Sequence, residues 1–166
     1  MTDLDDTVIV TGMVQGRTLR SVLTANGTTQ PLFPDVPALP REQAARGPVI
    51  SLSNSPDGLT VSLRTLPRVR GLPEGPLFLR DLFREGAAEH KSRVLDTLAR
   101  TTTARFTLSG DSGERGPETY ARFVQEHPGR VERLLIRDVG TPARRQEVGR
   151  RLTPLGVPFG FLPAAP

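Results

Sequence analysis

The sequence contains no cysteine and no tryptophan, one tyrosine, one lysine and two histidines. Without cysteine there is no disulfide, no thiolate metal site and no cysteine nucleophile, a composition expected of a cytoplasmic protein. Aromatic residues make up 5% of the chain, so a core has to rest mainly on Leu, Val, Ile and Phe. No apolar run approaches the roughly 20 residues that a membrane-spanning helix needs. No basic segment followed by an apolar stretch opens the chain, so a secretory signal is not expected either.

What is present is 166 residues, 36% hydrophobic and 24% charged, the profile of one globular domain large enough to bury a real core. The net charge is +4, from 22 Lys and Arg against 18 Asp and Glu, and Lys91 is the only lysine. A basic surface can attract anionic lipids, nucleic acid or phosphorylated substrates. The arginines are scattered, with no aromatic residues interleaved for base stacking, so specific nucleic-acid binding is not expected.

Apolar patterning predicts β-prone residues at 8–11, then a helix over 17–25 ended by Asn26-Gly27. Residues 31–40 are proline-rich loop, and residues 41–46 suit a helical turn. A buried strand over 48–52 is predicted to end at Ser53-Asn54-Ser55-Pro56, a turn signature. A helix over 58–66, a loop over 71–76 and a short strand over 77–79 follow. The second half alternates more clearly: helix 89–100, strand 105–108 broken at Ser109-Gly110-Asp111, helix 117–126, strand 131–136 and helix 142–152. The proline-rich tail from Pro154 is expected to be irregular apart from a short strand at 157–161. Strands alternating with helices point to an α/β fold with a mainly parallel sheet. The expected division is a catalytic domain over 1–153 and a tail over 154–166.

Ligands of such sheets gather at the carboxyl ends of the strands. Three of these ends are polar: Asp3-Leu4-Asp5, Ser53-Asn54-Ser55 and Gly110-Asp111-Ser112-Gly113. Two carboxylates two residues apart can face one site, one attacking phosphorus and the other exchanging a proton with the leaving oxygen. Taken alone, Asp3, Asp5 and Asp6 read more simply as a solvated acidic terminus. Ser53 can donate to a phosphoryl oxygen or serve as a turn residue. Asp111 can hold Mg²⁺ through hard carboxylate oxygen, or close a turn. Lys91 offers a compact ammonium where every other cation is a planar fork, which suits a crowded phosphoryl pocket. His90 is expected on a helix surface and His127 at a helix end.

Taken in order, Asp3-Leu4-Asp5-Asp6-Thr7, Ser53 after a second strand, Lys91 on a helix and Gly110-Asp111 after a later strand resemble the four motifs of the haloacid dehalogenase (HAD) superfamily. The longer runs Leu52-Ser53-Asn54-Ser55-Pro56, Gly110-Asp111-Ser112-Gly113-Glu114, Pro117-Glu118-Thr119-Tyr120 and Ile136-Arg137-Asp138-Val139 resemble the phosphatidate phosphatase catalytic domain of the actin-patch-protein family. The resemblance runs from Asp3 to about Val139. It implies a Rossmann-like HAD fold and a Mg²⁺-dependent phosphomonoester hydrolase working through an aspartyl-phosphate, on phosphatidate or another lipid phosphate at a membrane surface. By motif, Asp3 is the implied nucleophile and Asp5 the general acid and base. Thr7, Ser53, Asn54 and Lys91 would bind phosphate, and Asp3, Asp5 and Asp111 would bind Mg²⁺.

About 45 residues separate Thr7 from Ser53, too few for a sizeable cap domain once helices and strands are counted. The chain departs from the family pattern at Gly116, where a second metal-supporting Asp is usual. That loss should weaken Mg²⁺ binding unless Glu114 or Glu118 reaches in. Asp57 replaces an aromatic residue. Only Met1 and Thr2 precede Asp3, so the first strand is expected to be cut short, filled by another segment, or begun further upstream. The alternative function is a truncated, weakly active relative that binds phosphorylated ligands or a partner without turnover.

Overall fold

A computed structural model describes residues 1–3, 42, 44–56, 73–81 and 86–164. The residues predicted as strand 8–11, helix 17–25, loop 31–40 and helix 58–66 lie outside the described residues, as does most of the stretch on which the absence of a cap was argued. Six strands are described: β1 (Thr2–Asp3), β2 (Ser51–Pro56), β3 (Leu77–Arg80), β4 (Phe106–Asp111), β5 (Val131–Arg137) and β6 (Phe159–Leu162). Three helices accompany them, α1 (Ala87–Thr101), α2 (Gly116–Glu126) and α3 (Pro142–Leu152). The strands form one sheet in the order β3-β2-β1-β4-β5-β6, and every described pairing is parallel. The expected Rossmann-like α/β fold is therefore present, with the 3-2-1-4-5-6 order of doubly wound nucleotide-binding sheets.

Burial follows from the patterning. On α1, Lys91, Val94, Leu95 and Ala99 are buried, with Leu98 partly so, the i, i+3, i+4 stripe of a helix packed on a sheet. Near-continuous burial of Leu108–Asp111 and Leu134–Arg137 marks strands covered on both faces, as parallel sheets require. Leu52, Leu108, Leu134 and Ile136 are fully buried, each contributing about 1.5–3 kcal/mol of hydrophobic stabilisation. Helix α1 packs on α2, and α2 on α3.

Four boundaries differ from the sequence expectation. Strand β2 runs through Ser53-Asn54-Ser55-Pro56 rather than turning there, because β3 keeps pairing across a bulge between Ser53 and Pro56. Strand β4 likewise continues to Asp111, its pairing with β5 outweighing the local turn preference of Ser109-Gly110. The tail carries β6 at Phe159–Leu162, paired with Leu134–Arg137 of β5. Gly156 ends a short 3-10 turn with a positive φ of 66° and re-aims the chain into that strand. His90, expected on the surface, is fully buried, since it lies one turn before Val94 on the face that α1 packs inward.

Among the described residues the central strand is short. β1 contributes two residues, pairing with Ser51 and Leu52 of β2 and with Ser109 of β4. Met1 extends the ladder on one side: its ammonium donates to Thr107 O at 2.6 Å, and Ser109 N donates to Met1 O at 3.0 Å. Burial lowers that ammonium's pKa to about 6. Ahead of Met1, between the starts of β2 and β4, lies a cavity of about 260 Å³ bordered by Val49, Ile50, Leu98, Phe106 and Leu135. It sits at the amino ends of the strands, the opposite end from the polar strand termini.

Candidate active site

The chain lays β2 and β3 on one side of β1 and then crosses to place β4 on the other. The order reverses between β1 and β4, and at such a switch point the loops leaving the carboxyl ends of the two strands diverge and open a crevice. Register brings three of the predicted residues to that place. Asp3 ends β1, Ser53 lies one residue beyond its partner Leu52, and Asp111 ends β4 two residues past the Ser109 that pairs with Thr2. Asn54 lies in the bulge of β2. Asp5 and Thr7 lie outside the described residues.

Asp111 and Ser53 are fully buried and Lys91 is 2% exposed. The Asp111 Oδ1 accepts from Gly113 N at 2.7 Å and Glu114 N at 2.9 Å, closing the turn that leaves β4. Its Oδ2 has no hydrogen-bond partner among the described residues. Burial pushes the Asp111 pKa up to about 6, while the Lys91 ammonium and the two backbone N–H groups hold it from going higher. Lys91 comes from α1, whose start is fixed by the Glu89 carboxylate accepting from Gly86 N at 2.6 Å. Its Nζ donates to Glu114 Oε2 at 3.0 Å. A buried carboxylate with one orphaned oxygen, beside a lysine and a second carboxylate, is a donor set suited to a hard divalent cation.

Gly110 is required before Asp111. A Cβ there would stand 2.7 Å from the Tyr120 Oη and 2.9 Å from its Cε2. Tyr120 is fully buried and donates its hydroxyl to Ser109 O at 2.9 Å, so the ring braces the end of β4 from below.

A family profile described as the catalytic domain of phosphatidate phosphatase APP1 matches residues 1–138. The chain belongs to the phosphatidate phosphatase APP1 catalytic-domain family. No curated protein and no solved structure matches it. Membership makes the chain a phosphohydrolase of the phosphatidate phosphatase type by family, and the matched span contains β1 to β5 and every predicted site residue.

Within this APP1-type domain, the two acids considered as substitutes for the missing carboxylate at Gly116 part company. Glu118 is engaged by Arg144 through two hydrogen bonds of 2.7 and 2.9 Å. Burial raises its pKa, but the Arg144 hydrogen bond, a backbone hydrogen bond and the charges of Arg144 and Arg151 together hold it below the usual carboxylate value. Glu114 instead stays beside Lys91. Arg144 was not foreseen from the sequence: it also donates to Ser112 O at 2.9 Å and Glu114 O at 3.1 Å, strapping the loop after β4 to α3. Ser112 Oγ accepts from Val139 N and Gly140 N, tying the same loop to the end of β5. Arg137, fully buried beside Asp111 in the ladder, donates to Pro163 O at 2.8 Å and anchors the tail.

A second group of potential ligands, Asp96, Glu126 and His127, lies elsewhere. Arg122 pairs with both carboxylates, at 3.7 and 3.2 Å. The group sits at the far end of α2 from Asp111, about 15 Å away along an 11-residue helix. No helix among the described residues is long and apolar enough to cross a membrane.

Proposed function

We propose that the protein is a Mg²⁺-dependent phosphomonoester hydrolase of the haloacid dehalogenase superfamily, acting on phosphatidate or a related lipid phosphate at a cytoplasmic membrane surface. The observation that carries this reading is the convergence, at the switch point of a parallel sheet, of Asp3, Ser53, buried Lys91 and a buried Asp111 with one unsatisfied oxygen.

In the first half-reaction a carboxylate oxygen of Asp3 attacks phosphorus, and the bond from phosphorus to the ester oxygen breaks. Asp5 gives its proton to the leaving alkoxide. In the second, Asp5 takes a proton from water, whose oxygen attacks phosphorus; the Asp3–phosphorus bond breaks and inorganic phosphate departs. The Lys91 ammonium and the Ser53 hydroxyl hold the equatorial oxygens, with Asn54 and Thr7 completing the phosphate pocket. Asp111, Asp3 and Asp5 would hold Mg²⁺, which when bound neutralises charge on the transferring group. A preorganised Lys91 is worth more here than on the surface because its side chain is buried.

The test is hydrolysis of an aryl phosphate and of phosphatidate in vesicles, with and without Mg²⁺, by the wild type and Asp3→Asn. Loss of the nucleophile should cost at least about a thousandfold in kcat. Turnover untouched by Asp3→Asn would remove the mechanism, and turnover of small sugar phosphates alone would remove the lipid substrate.

A further inference from the structure

The pattern of the family leaves a gap at Gly116, and the geometry around Asp111 says how this chain fills it. Gly116 is buried at the first turn of α2, and a Cβ added there would meet Asp111 O at 3.5 Å, ordinary contact. A carboxylate at that position would thus start against Asp111. With glycine there, no side chain comes from that position, and Asp111 Oδ2 is buried with no hydrogen-bond partner among the described residues. Burying an ionised oxygen without a hydrogen-bond partner is expensive, and a divalent cation bound there would relieve it.

Three acids lie near enough in sequence to be considered. Glu118 is held by the Arg144 fork. Asp138 is paired with Arg145 at the end of β5. Glu114 differs from both. Its backbone N–H is bound by Asp111 itself at 2.9 Å, so both acids belong to one tight turn. Its carboxylate reaches 3.0 Å from Lys91, and the charges of Lys91 and Glu114 both act on Asp111. Its carbonyl is pinned by Arg144 at 3.1 Å, which fixes the direction in which the side chain leaves the loop.

We propose that Glu114 is this chain's replacement for the carboxylate missing at Gly116: it supports the divalent cation at Asp111, and in the cation-free protein Lys91 holds it in readiness. This inference rests on the reading of Asp111 as a metal ligand. When a cation takes up Glu114, the Lys91 ammonium is released to face the phosphoryl oxygens. One lysine thereby serves two anions in turn, which a broad guanidinium fork could not do in so small a space.

Mg²⁺ affinity of the full chain, measured by calorimetry and checked by Mn²⁺ electron paramagnetic resonance, tests this without reference to turnover. Glu114→Gln should raise the Mg²⁺ Kd about 10- to 100-fold, the usual cost of losing a supporting carboxylate. Gly116→Asp should lower Kd, and Glu114→Gln with Gly116→Asp should return it to near the wild-type value. That rescue distinguishes a lost ligand from a damaged fold. Wild-type affinity in Glu114→Gln, with binding lost in Asp111→Asn, would overturn the role of Glu114 while leaving the Asp111 site standing. Binding that ignores Asp111→Asn, or no binding by the wild type, would overturn both.

Discussion

Replacing Asp111 by Asn should stabilise the metal-free protein. Asp111 is fully buried, and its folded pKa of about 6 stands some two units above that of a free aspartate. At pH 7 the carboxylate is ionised in both folded and unfolded chains, and two units correspond to about 3 kcal/mol of disfavoured charge in the fold. Asn keeps the Oδ1 acceptor for Gly113 N and Glu114 N and removes the charge. The sign follows from the raised pKa: the penalty is complete above pH 6, shrinks as pH falls and vanishes below about 4, where both states are protonated. Glu118 has the opposite slope, its contribution being lost as pH falls, but it is common to both proteins and cancels in the difference. Urea unfolding in EDTA, from pH 3.5 to 7.5, should therefore show Asp111→Asn up to about 3 kcal/mol more stable at neutral pH and equal to the wild type near pH 3.5. At pH 7 that gain is about 6–12 °C in Tm. Added Mg²⁺ should close the gap by stabilising the wild type alone. A wild type as stable as Asp111→Asn at pH 7 without metal would refute the claim that a buried, incompletely relieved charge sits at the end of β4.

Gly110→Ala should destabilise the fold by about 1–3 kcal/mol, since its methyl group would press on the buried Tyr120 ring. Tyr120→Phe in the same background should recover only part of this, because a ring carbon also lies within 3 Å; full recovery in chemical denaturation would show that the hydroxyl alone was the obstacle. Extending Met1 by three apolar residues such as Val-Ile-Val should fill the cavity ahead of β1 and raise stability by a net ~1–3 kcal/mol, burial exceeding the ordering entropy. The chain beginning at Met1 should also gain stability as pH rises from about 6 to 8, where its buried ammonium loses its proton. The extended chain should lack that rise, and a thermal melt series across this range checks both statements.

Much of the second half of the fold was legible because helix and strand periods there are unmixed: α3 falls on the predicted residues 142–152, and α1, α2 and β5 start or end within two residues of expectation. Errors gathered at strand ends, where Ser, Asn, Gly and Pro favour turns locally but the neighbouring strand imposes its ladder. Ser53 and Asp111 were singled out by their place in the motif order, since each alone reads as well as a turn residue, and Asp111 does close the turn after β4. Lys91 stood out by composition alone. Arg144 carried no such signal: it is one basic residue among several on α3, and its importance comes from contacts 26 to 32 residues back along the chain. His90 was misjudged because a polar side chain was assigned to the surface, although it lies one turn before Val94 on the face that α1 buries.

The guanidinium of Arg130 donates to Ala99 O, Thr102 O and Ala104 O at 2.8, 2.7 and 3.0 Å, and lies 5.4 Å from the centre of the Phe106 ring. Ala99 O is a last-turn carbonyl that α1 cannot satisfy itself, and Thr102 and Ala104 lie at and just past the helix end. The same helix delivers Lys91 eight residues earlier, about 12 Å up its axis. Arg130 thus acts as a set-screw on a rod: it fixes how far α1 can slide along the sheet, and hence the depth at which the ammonium arrives among the strand ends. Positional tolerance at the phosphate pocket is set partly from the opposite edge of the domain, by a residue that touches nothing in it.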